Sequence, residues 1–353
     1  MKAFVVLLLL LQLVAASMPS KFLDFSKFNQ LPEILRNSIK TNLGGYHKPE
    51  DPVPRLVTYV QTFYDKKDKR VSLLPLLWHD VRVTHVILAS VHLHAKPGEI
   101  RLNDKTFDSD DYDITWQEVQ ALKNHKIKVM VMLGGAAKGT YKWLNGTDEE
   151  FYTYYNPLKD LLIKHGIQGL DLNIEENVPL NVPLRILNAL HRDMGPEFIL
   201  TMSPIASALL SSANTDQNLS GFSYFDLDAF ATIPGADTKL ISWYNTQFYG
   251  NFPKGPPLYE DVMEAGWPAE RIVYGVLDSP EDGPPNGFLR MEALTQRIQE
   301  LKKKWKGFGG VAGWEYFDAG VGDGVKEKPW EWLLHLADEL FGKINDHGKK
   351  DEL

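Results

Sequence analysis

The feature that most constrains the fold is a regular alternation between two kinds of apolar pattern. Short apolar runs suited to buried strands take turns with longer stretches in which apolar residues recur at helical spacing. The connections around Leu73–His79 and after Met202 are less clear. Eight strand candidates occur, at Leu56–Val60, His85–Ser90, Lys128–Leu133, Gly169–Glu175, Phe198–Met202, Leu240–Phe248, Ile272–Leu277 and Gly309–Trp314. The helical candidates are Trp116–His125, Glu149–Lys164, Leu184–Met194, Tyr259–Ala265, Met291–Trp305 and Pro329–Leu340.

The alternation predicts one parallel α/β domain, because no linker or shift in composition interrupts it. Eight repeats favour a closed (β/α)8 barrel over an open doubly wound sheet. We expect this domain to span residues 54–342. Thr115 with Glu118 predicts a capping box for the helix that starts at Trp116. Gly134-Gly135 is a pair and not a glycine-rich phosphate loop, so no nucleotide cofactor is expected.

The fourth strand candidate carries two different faces. An antiparallel strand with one face exposed to solvent would show the same alternation of apolar and polar residues. The flanking helical patterns instead favour a parallel strand that is buried on both faces, so its polar row is expected to face a polar cavity. In a barrel this cavity opens at the carboxyl ends of the strands. At the two-residue period of a strand, Leu170, Leu172 and Ile174 share one face, whereas Asp171, Asn173 and Glu175 share the other.

The sixth and eighth strands end in polar and aromatic residues. Asn245, Gln247 and Tyr249 share one face of the sixth, and the eighth places Trp314 at the barrel mouth. Core packing explains any single aromatic residue more simply. Their coincidence with Glu175 at strand ends predicts a sugar site, because a sugar ring has apolar faces and a polar edge.

Several segments resemble one known family. Gly169 to Glu175, read as GLDLNIE, resembles the end of the DGxDxDxE signature of glycoside hydrolase family 18. Lys128–Gly135, Trp243–Tyr249 and Gly309–Phe317 are similar to other motifs of that family, and the last two resemble its fungal endo-β-N-acetylglucosaminidases more than its chitinases. The resemblance extends from Arg55 to Leu340.

The resemblance implies an enzyme that cleaves the GlcNAc-β1,4-GlcNAc core of N-linked, high-mannose glycans, with N-glycoproteins or free N-glycans as substrate. In this substrate-assisted hydrolysis, Glu175 protonates the glycosidic oxygen while the acetamido oxygen of the substrate attacks C1. Gln247 and Tyr249 match the residues that hold the acetamido group. Trp314 matches the ring beneath the −1 sugar.

Two positions depart from the family signature. Gln168 replaces its first Asp, and Asn173 replaces the Asp that orients the acetamide and stabilises the developing positive charge. The Asn173 amide can accept a hydrogen bond but supplies no charge. We expect Asp171 to be ionised and to accept from the Asn173 amide. The enzyme is therefore expected to be slow or to transfer sugars to acceptors.

Three alternatives remain open. The chain is a catalytically weak or inactive glycan-binding lectin, a chitinase, or a metal-dependent hydrolase that uses His92 and His94 as ligands. The metal alternative lacks a further His or Cys on the fifth to eighth strands to complete three ligands. We expect no metal in the site.

The two ends of the chain predict where in the cell the protein resides. Met1–Ser17 has the pattern of a secretory signal peptide, and Lys350 to Leu353 reads as an endoplasmic-reticulum retrieval signal. We therefore expect an endoplasmic-reticulum lumenal monomer, with a KDEL-type retrieval receptor as partner. Residues 18–53 form a lead-in with a short helix around Leu31–Ile39, and residues 343–353 form a tail.

The net charge and the lengths of the apolar runs argue against two kinds of partner, nucleic acid and membrane. A net charge of −8 offers no basic surface for nucleic acid, and no later run is long and apolar enough to span a bilayer. The chain has no cysteine, so no disulfide stabilises it. Sequons begin at Asn145 and Asn218.

Overall fold

The structure is a computed structural model that describes residues 52–211, 218–233, 235–250, 258–284, 287–325 and 328–343. The predicted signal peptide, the lead-in helix and the retrieval tetrapeptide lie outside these residues. Within the described ranges, no helix is long and apolar enough to cross a membrane.

A closed parallel barrel forms the centre of the molecule. Its eight parallel strands pair in chain order, and the last pairs again with the first. The predicted (β/α)8 barrel is therefore confirmed. The sequence did not predict a hairpin of two short strands that follows the second barrel strand. The first strand of this hairpin pairs antiparallel with the second barrel strand. The described strands are β1 Arg55–Val60, β2 His85–Leu93, β3 Ile100–Leu102, β4 Lys105–Thr106, β5 Lys128–Gly135, β6 Gly169–Ile174, β7 Ile199–Met202, β8 Trp243–Gln247, β9 Ile272–Leu277 and β10 Gly310–Trp314.

Helices surround the barrel where the sequence predicted them, with ends that differ by up to three residues. Two further short helices, at Pro75–Trp78 and Tyr224–Phe230, lie in the two connections that the sequence left unclear. The described α-helices are α1 Pro75–Trp78, α2 Asp113–Asn124, α3 Asp148–Lys164, α4 Asn181–Met194, α5 Tyr224–Phe230, α6 Tyr259–Glu264, α7 Met291–Lys304 and α8 Pro329–Phe341.

The predicted capping box at the start of α2 is wrong. This helix begins before Thr115, and the Glu118 carboxylate instead accepts hydrogen bonds from Arg70, Ser72 and the backbone N–H of Leu73. The competing donors come from the loop after β1, which a local sequence window does not contain. A capping box does form at α3, where Thr147 and Glu150 bond each other's backbone N–H groups.

Two apolar clusters divide the barrel strands into an outer and an inner face. The outer cluster, between strands and helices, contains Leu170, Leu172 and Ile174 of β6. The alternation in β6 therefore points Asp171 and Asn173 into the barrel, as predicted, and both are buried. The inner cluster consists of Val57, Tyr59, Ile87, Ala89, Met130, Met132, Ile199, Trp243, Val273 and Ala312, with Trp314 packed against it.

A buried ion cluster joins α5 to the strands β8 and β9. Asp228 of α5 lies 2.6 Å from an Arg271 nitrogen and 3.2 Å from Lys239 Nζ, and it accepts a 2.8 Å hydrogen bond from Tyr244. Although burial opposes ionisation, the Arg271 and Lys239 charges hold the pKa of Asp228 below its usual value. Asp228 and Arg271 have no exposed surface, so each charge depends on the other.

The two sequons differ in their surroundings. Asn145 is exposed, between the strand β5 and the helix α3. The Asn218 amide instead donates to the carbonyl of Phe222, and Ser220 of the same sequon is buried and donates to the carbonyl of Ile174 at 2.6 Å. Of these two asparagines, Asn145 is the one that presents its amide to solvent.

Candidate active site

The candidate site is built on Asp171, which lies fully buried inside the barrel. Its carboxylate accepts hydrogen bonds from Tyr59 of β1 at 2.9 Å, Thr201 of β7 at 2.5 Å, Ser203 at 2.8 Å and Asn245 of β8 at 3.2 Å. Burial raises the pKa of Asp171, while these donors favour its ionised form. Asp171 is thus tied to three strands besides its own.

The predicted hydrogen bond from Asn173 to Asp171 is wrong. The Asn173 Nδ2 atom instead donates to Glu175 Oε1 at 3.0 Å. Donors from other strands already occupy the Asp171 oxygens, and among them the Asn245 amide is oriented because its Oδ1 accepts from Trp243 Nε1 at 2.9 Å. The Asn173 amide therefore turns towards the barrel mouth.

Gln247 completes the polar group at the mouth. Its Nε2 donates to the carbonyl of Ser203 at 2.8 Å and lies 3.5 Å from both Asn173 Oδ1 and Glu175 Oε1. Two amide groups therefore approach the same oxygen of Glu175. Glu175 is half-buried and directly follows the last residue of β6.

A small cavity of about 10 Å³, roughly the room of one water molecule and partly open to solvent, lies above Asp171. Among the predicted site residues, Asn173, Asn245, Gln247, Tyr249 and Trp314 line it. Asp171 bonds three residues of the lining, and Glu175 contacts two of them. The structure therefore brings all seven predicted residues together at one end of the barrel. The other lining residues are Tyr59, Met132, Ser203, Gly275 and Ala312.

The aromatic side chains of the cavity give it a hydrogen-bond donor and an apolar wall. Burial raises the pKa of Tyr249, and the charges of Glu175 and Asp278 raise it further, so its hydroxyl keeps its proton and can donate. The Trp314 ring packs against the Tyr59 ring with centroids 5.5 Å apart. Such groups are chemically complementary to a ring with apolar faces and polar edges.

The sequence reasoning missed Tyr59, Thr201 and Ser203. The alternation that identified Asp171 also puts Thr201 and Ser203 on one face of the fifth barrel strand, so the same rule could have found them. Glu176, the next acid along the chain, accepts from the backbone N–H groups of Gly139 and Tyr141 at 3.0 and 3.1 Å. Glu176 therefore anchors the loop after β5.

The two histidines considered as metal ligands lie at the end of β2. His92 Nδ1 is 3.0 Å from the Thr140 hydroxyl, and burial lowers the pKa of His92. In the part of the chain that the structure describes, no group of three or more His, Asp or Glu side chains is arranged to hold a metal ion.

A second group of carboxyls lies beside Trp314, at the ends of β9 and β10. Asp278 donates its backbone N–H to the Trp314 carbonyl at 2.7 Å, and Asp282 Oδ2 accepts from the backbone N–H of Glu315 at 2.9 Å. Burial raises the pKa of Asp282 to about 8, and the charge of Asp318 adds to this. Burial also raises the pKa values of Asp278, Glu315 and Asp318.

This shift predicts a pH dependence of stability. The pKa of Asp282 is about 8 in the folded chain and about 3.9 in an unfolded one, so its contribution to stability is lost as the pH rises from about 4 to about 8. Asn at this position still accepts from Glu315. After allowance for solvent screening, Asp282→Asn is expected to be about 1–3 kcal/mol more stable than the wild type at pH 9. Urea unfolding from pH 4 to 9 measures the difference, and parallel curves for the two proteins would contradict it.

Comparison with protein-family models and with curated proteins gives no match. Solved structures do match. The chitinase ChiC from Aspergillus fumigatus is 38% identical over 79% of this chain and 96% of the other, with a TM-score of 0.68. A fungal endo-β-N-acetylglucosaminidase from glycosyl hydrolase family 18 is 32% identical over 83% of this chain and 100% of the other, with a TM-score of 0.73.

A more distant structure shares the fold alone. YKL-39, solved in the presence of chitooligosaccharides, is 13% identical over 81% of this chain and 99% of the other, with a TM-score of 0.56. The assignment therefore depends on the two closer structures, each of which is more than 30% identical and almost fully covered. With that identity over about four fifths of its length, the chain belongs to glycosyl hydrolase family 18.

Proposed function

We propose that this family 18 glycosidase is an endo-β-N-acetylglucosaminidase that cleaves the GlcNAc-β1,4-GlcNAc core of N-linked glycans. The observation that carries the proposal is the position of Glu175 at the end of β6, where it contacts Asn173 and Gln247 of a cavity that Tyr249 and Trp314 also line. The 32% identical fungal endo-β-N-acetylglucosaminidase supports this bond specificity.

In the proposed mechanism, Glu175 gives its proton to the glycosidic oxygen as the bond to C1 breaks. The acetamido oxygen of the substrate attacks C1 from the other side and forms an oxazolinium ion. Water then attacks C1 and opens this ion, and the Glu175 carboxylate takes the proton that the water releases. Tyr249 and Gln247 hold the acetamido group, and Trp314 supports the ring. Asn173 Oδ1 accepts from the acetamido N–H, and Asp171 fixes the surrounding strands.

Mass spectrometry of a high-mannose glycopeptide tests the proposal. The expected result is a released glycan and a peptide that keeps one GlcNAc on Asn. Cleavage of chitin oligosaccharides but not of the glycopeptide would instead indicate a chitinase, which the 38% identical ChiC makes the second candidate. Binding without any cleavage would indicate a lectin.

Replacing Asn173 by Asp separates a slow enzyme from a lectin. The Asn173 amide donates to Glu175, whereas Asp at this position would supply a negative charge and could share a proton with Glu175. A charged acceptor adds about 1–2 kcal/mol to a hydrogen bond in the transition state. Asn173→Asp is therefore expected to hydrolyse the glycopeptide roughly 5- to 30-fold faster. Both forms are assayed on the glycopeptide and on a preformed sugar oxazoline, and the enzyme proposal fails if neither form turns over either compound.

We also propose that the protein resides in the endoplasmic-reticulum lumen. Only the sequences of Met1–Ser17 and of Lys350 to Leu353 support this location. Imaging of the full chain against a lumenal marker tests it, and a cytosolic signal would contradict it.

A further inference from the structure

Glu315 follows Trp314 directly and forms a cluster of hydrogen bonds that the mechanism does not use. Its carboxylate accepts from the backbone N–H groups of Gln61 and Thr62 at 2.6 and 2.8 Å, and from the Thr62 hydroxyl at 2.6 Å. Its own backbone N–H donates to Asp282. Glu315 is only 5% exposed, so water does not compete effectively for these bonds.

These bonds continue the barrel beyond its last backbone pairing. The strands β1 and β10 close the barrel, and their pairing ends at Thr58 and Gly313. Gln61 and Thr62 lie past this point, where β10 has turned away into a short 3-10 helix. The Glu315 side chain therefore takes the place of strand pairing at the closure of the barrel.

The same bonds fix two rings of the cavity relative to each other. Tyr59 precedes Gln61 by two residues, packs against Trp314 and donates to Asp171. Trp314 is held through its carbonyl by Asp278 and through the next residue by the Glu315 bonds. Loss of the Glu315 carboxylate would remove the bonds that tie this end of β10 to the loop after β1, and Trp314 would then be held by its pairing with β9 and its contact with the inner cluster.

We propose that Glu315 is a positioning residue that sets the Trp314 ring against Tyr59, and thereby the position of a saccharide above Asp171. The ligand class rests on the proposed function. The positioning of Trp314 does not, because it follows from the contacts of the chain itself. Since Gln at this position still accepts from the two backbone N–H groups, while Ala removes every side-chain contact, the two substitutions are expected to differ sharply.

Glu118 of the helix α2 provides a control, because its side chain also bonds the loop after β1. It is 3% exposed and also accepts three hydrogen bonds, from Arg70, Ser72 and Leu73. None of these three partners lines the cavity. A purely structural effect of removing a buried glutamate should therefore appear in Glu118→Ala as well as in Glu315→Ala.

The experiment compares the wild type, Glu315→Gln, Glu315→Ala and Glu118→Ala in the full chain. Chitotetraose binding, kcat and KM on the high-mannose glycopeptide, and quenching of Trp314 fluorescence by acrylamide are measured. The Trp314 signal is the difference between each protein and its Trp314→Phe partner. We expect Glu315→Ala to lose roughly 10- to 100-fold in kcat/KM and to expose Trp314 to the quencher. Glu315→Gln should restore both to within about threefold of the wild type.

The outcomes separate the two proposals. Equal losses in Glu118→Ala and Glu315→Ala, or unchanged quenching of Trp314 in Glu315→Ala, would overturn the positioning role. A wild type that neither binds chitotetraose nor cleaves the glycopeptide would refute the proposed function, and the quenching data would still decide whether Glu315 positions Trp314.

Discussion

Glu175→Gln is expected to lower turnover of a high-mannose glycopeptide about 10²- to 10⁴-fold while saccharide binding stays close to that of the wild type. The amide keeps the size of the side chain but has no proton to give to the leaving oxygen. The hydrogen bond from Asn173 can still be accepted by the amide oxygen, so the cavity should keep its shape. Initial rates and chitotetraose affinity measure the two effects.

The neighbouring acid gives the control for this experiment. Glu176→Gln also exchanges a carboxylate for an amide at the end of β6, but that side chain faces the loop at Gly139 and Tyr141. We expect this variant to keep its turnover within a few-fold of the wild type. Similar losses in the two variants, or wild-type turnover in Glu175→Gln, would show that Glu175 is not the proton donor.

Asp228→Ala is expected to cost about 3–5 kcal/mol of unfolding free energy, because it leaves the Arg271 and Lys239 charges buried without their anion. Asp338→Ala serves as the surface comparison, since it removes the partner of Arg82 from a pair that is about 30% exposed at each side chain. That loss is expected to be within about 1 kcal/mol. Urea unfolding compares the two, and equal losses would contradict the role assigned to the buried cluster.

The sequence predicted those parts of the molecule that depend on local periodicity. The two-residue alternation in β6 assigned Asp171 and Asn173 to the barrel interior, and Leu170 and Leu172 to the helix side, because strand geometry alone sets these directions. Strand ends were also predictable, since polar residues at the carboxyl ends of parallel strands share one edge of the barrel.

Hydrogen-bond partners were less predictable because they come from distant parts of the chain. Asp171 takes its donors from Tyr59, Thr201, Ser203 and Asn245. Alternation within each strand can place such residues inside the barrel, but it does not indicate which of them bond to Asp171. Because these donors occupy the Asp171 oxygens, the Asn173 amide donates to Glu175 instead. The capping box predicted for α2 does not form for a similar reason. The Glu118 carboxylate bonds a loop that is more than 40 residues away in the sequence.

The donors of Asp171 also bear on how this chain reaches its native state. They arrive on β1, β7 and β8, so the carboxylate finds its full set of partners only when the first strand has joined the later ones. Until then, the interior holds a buried acid that lacks part of its solvation, which is unfavourable. Closure of the barrel by β1 therefore also completes the set of donors to Asp171 and brings Tyr59 into the polar site.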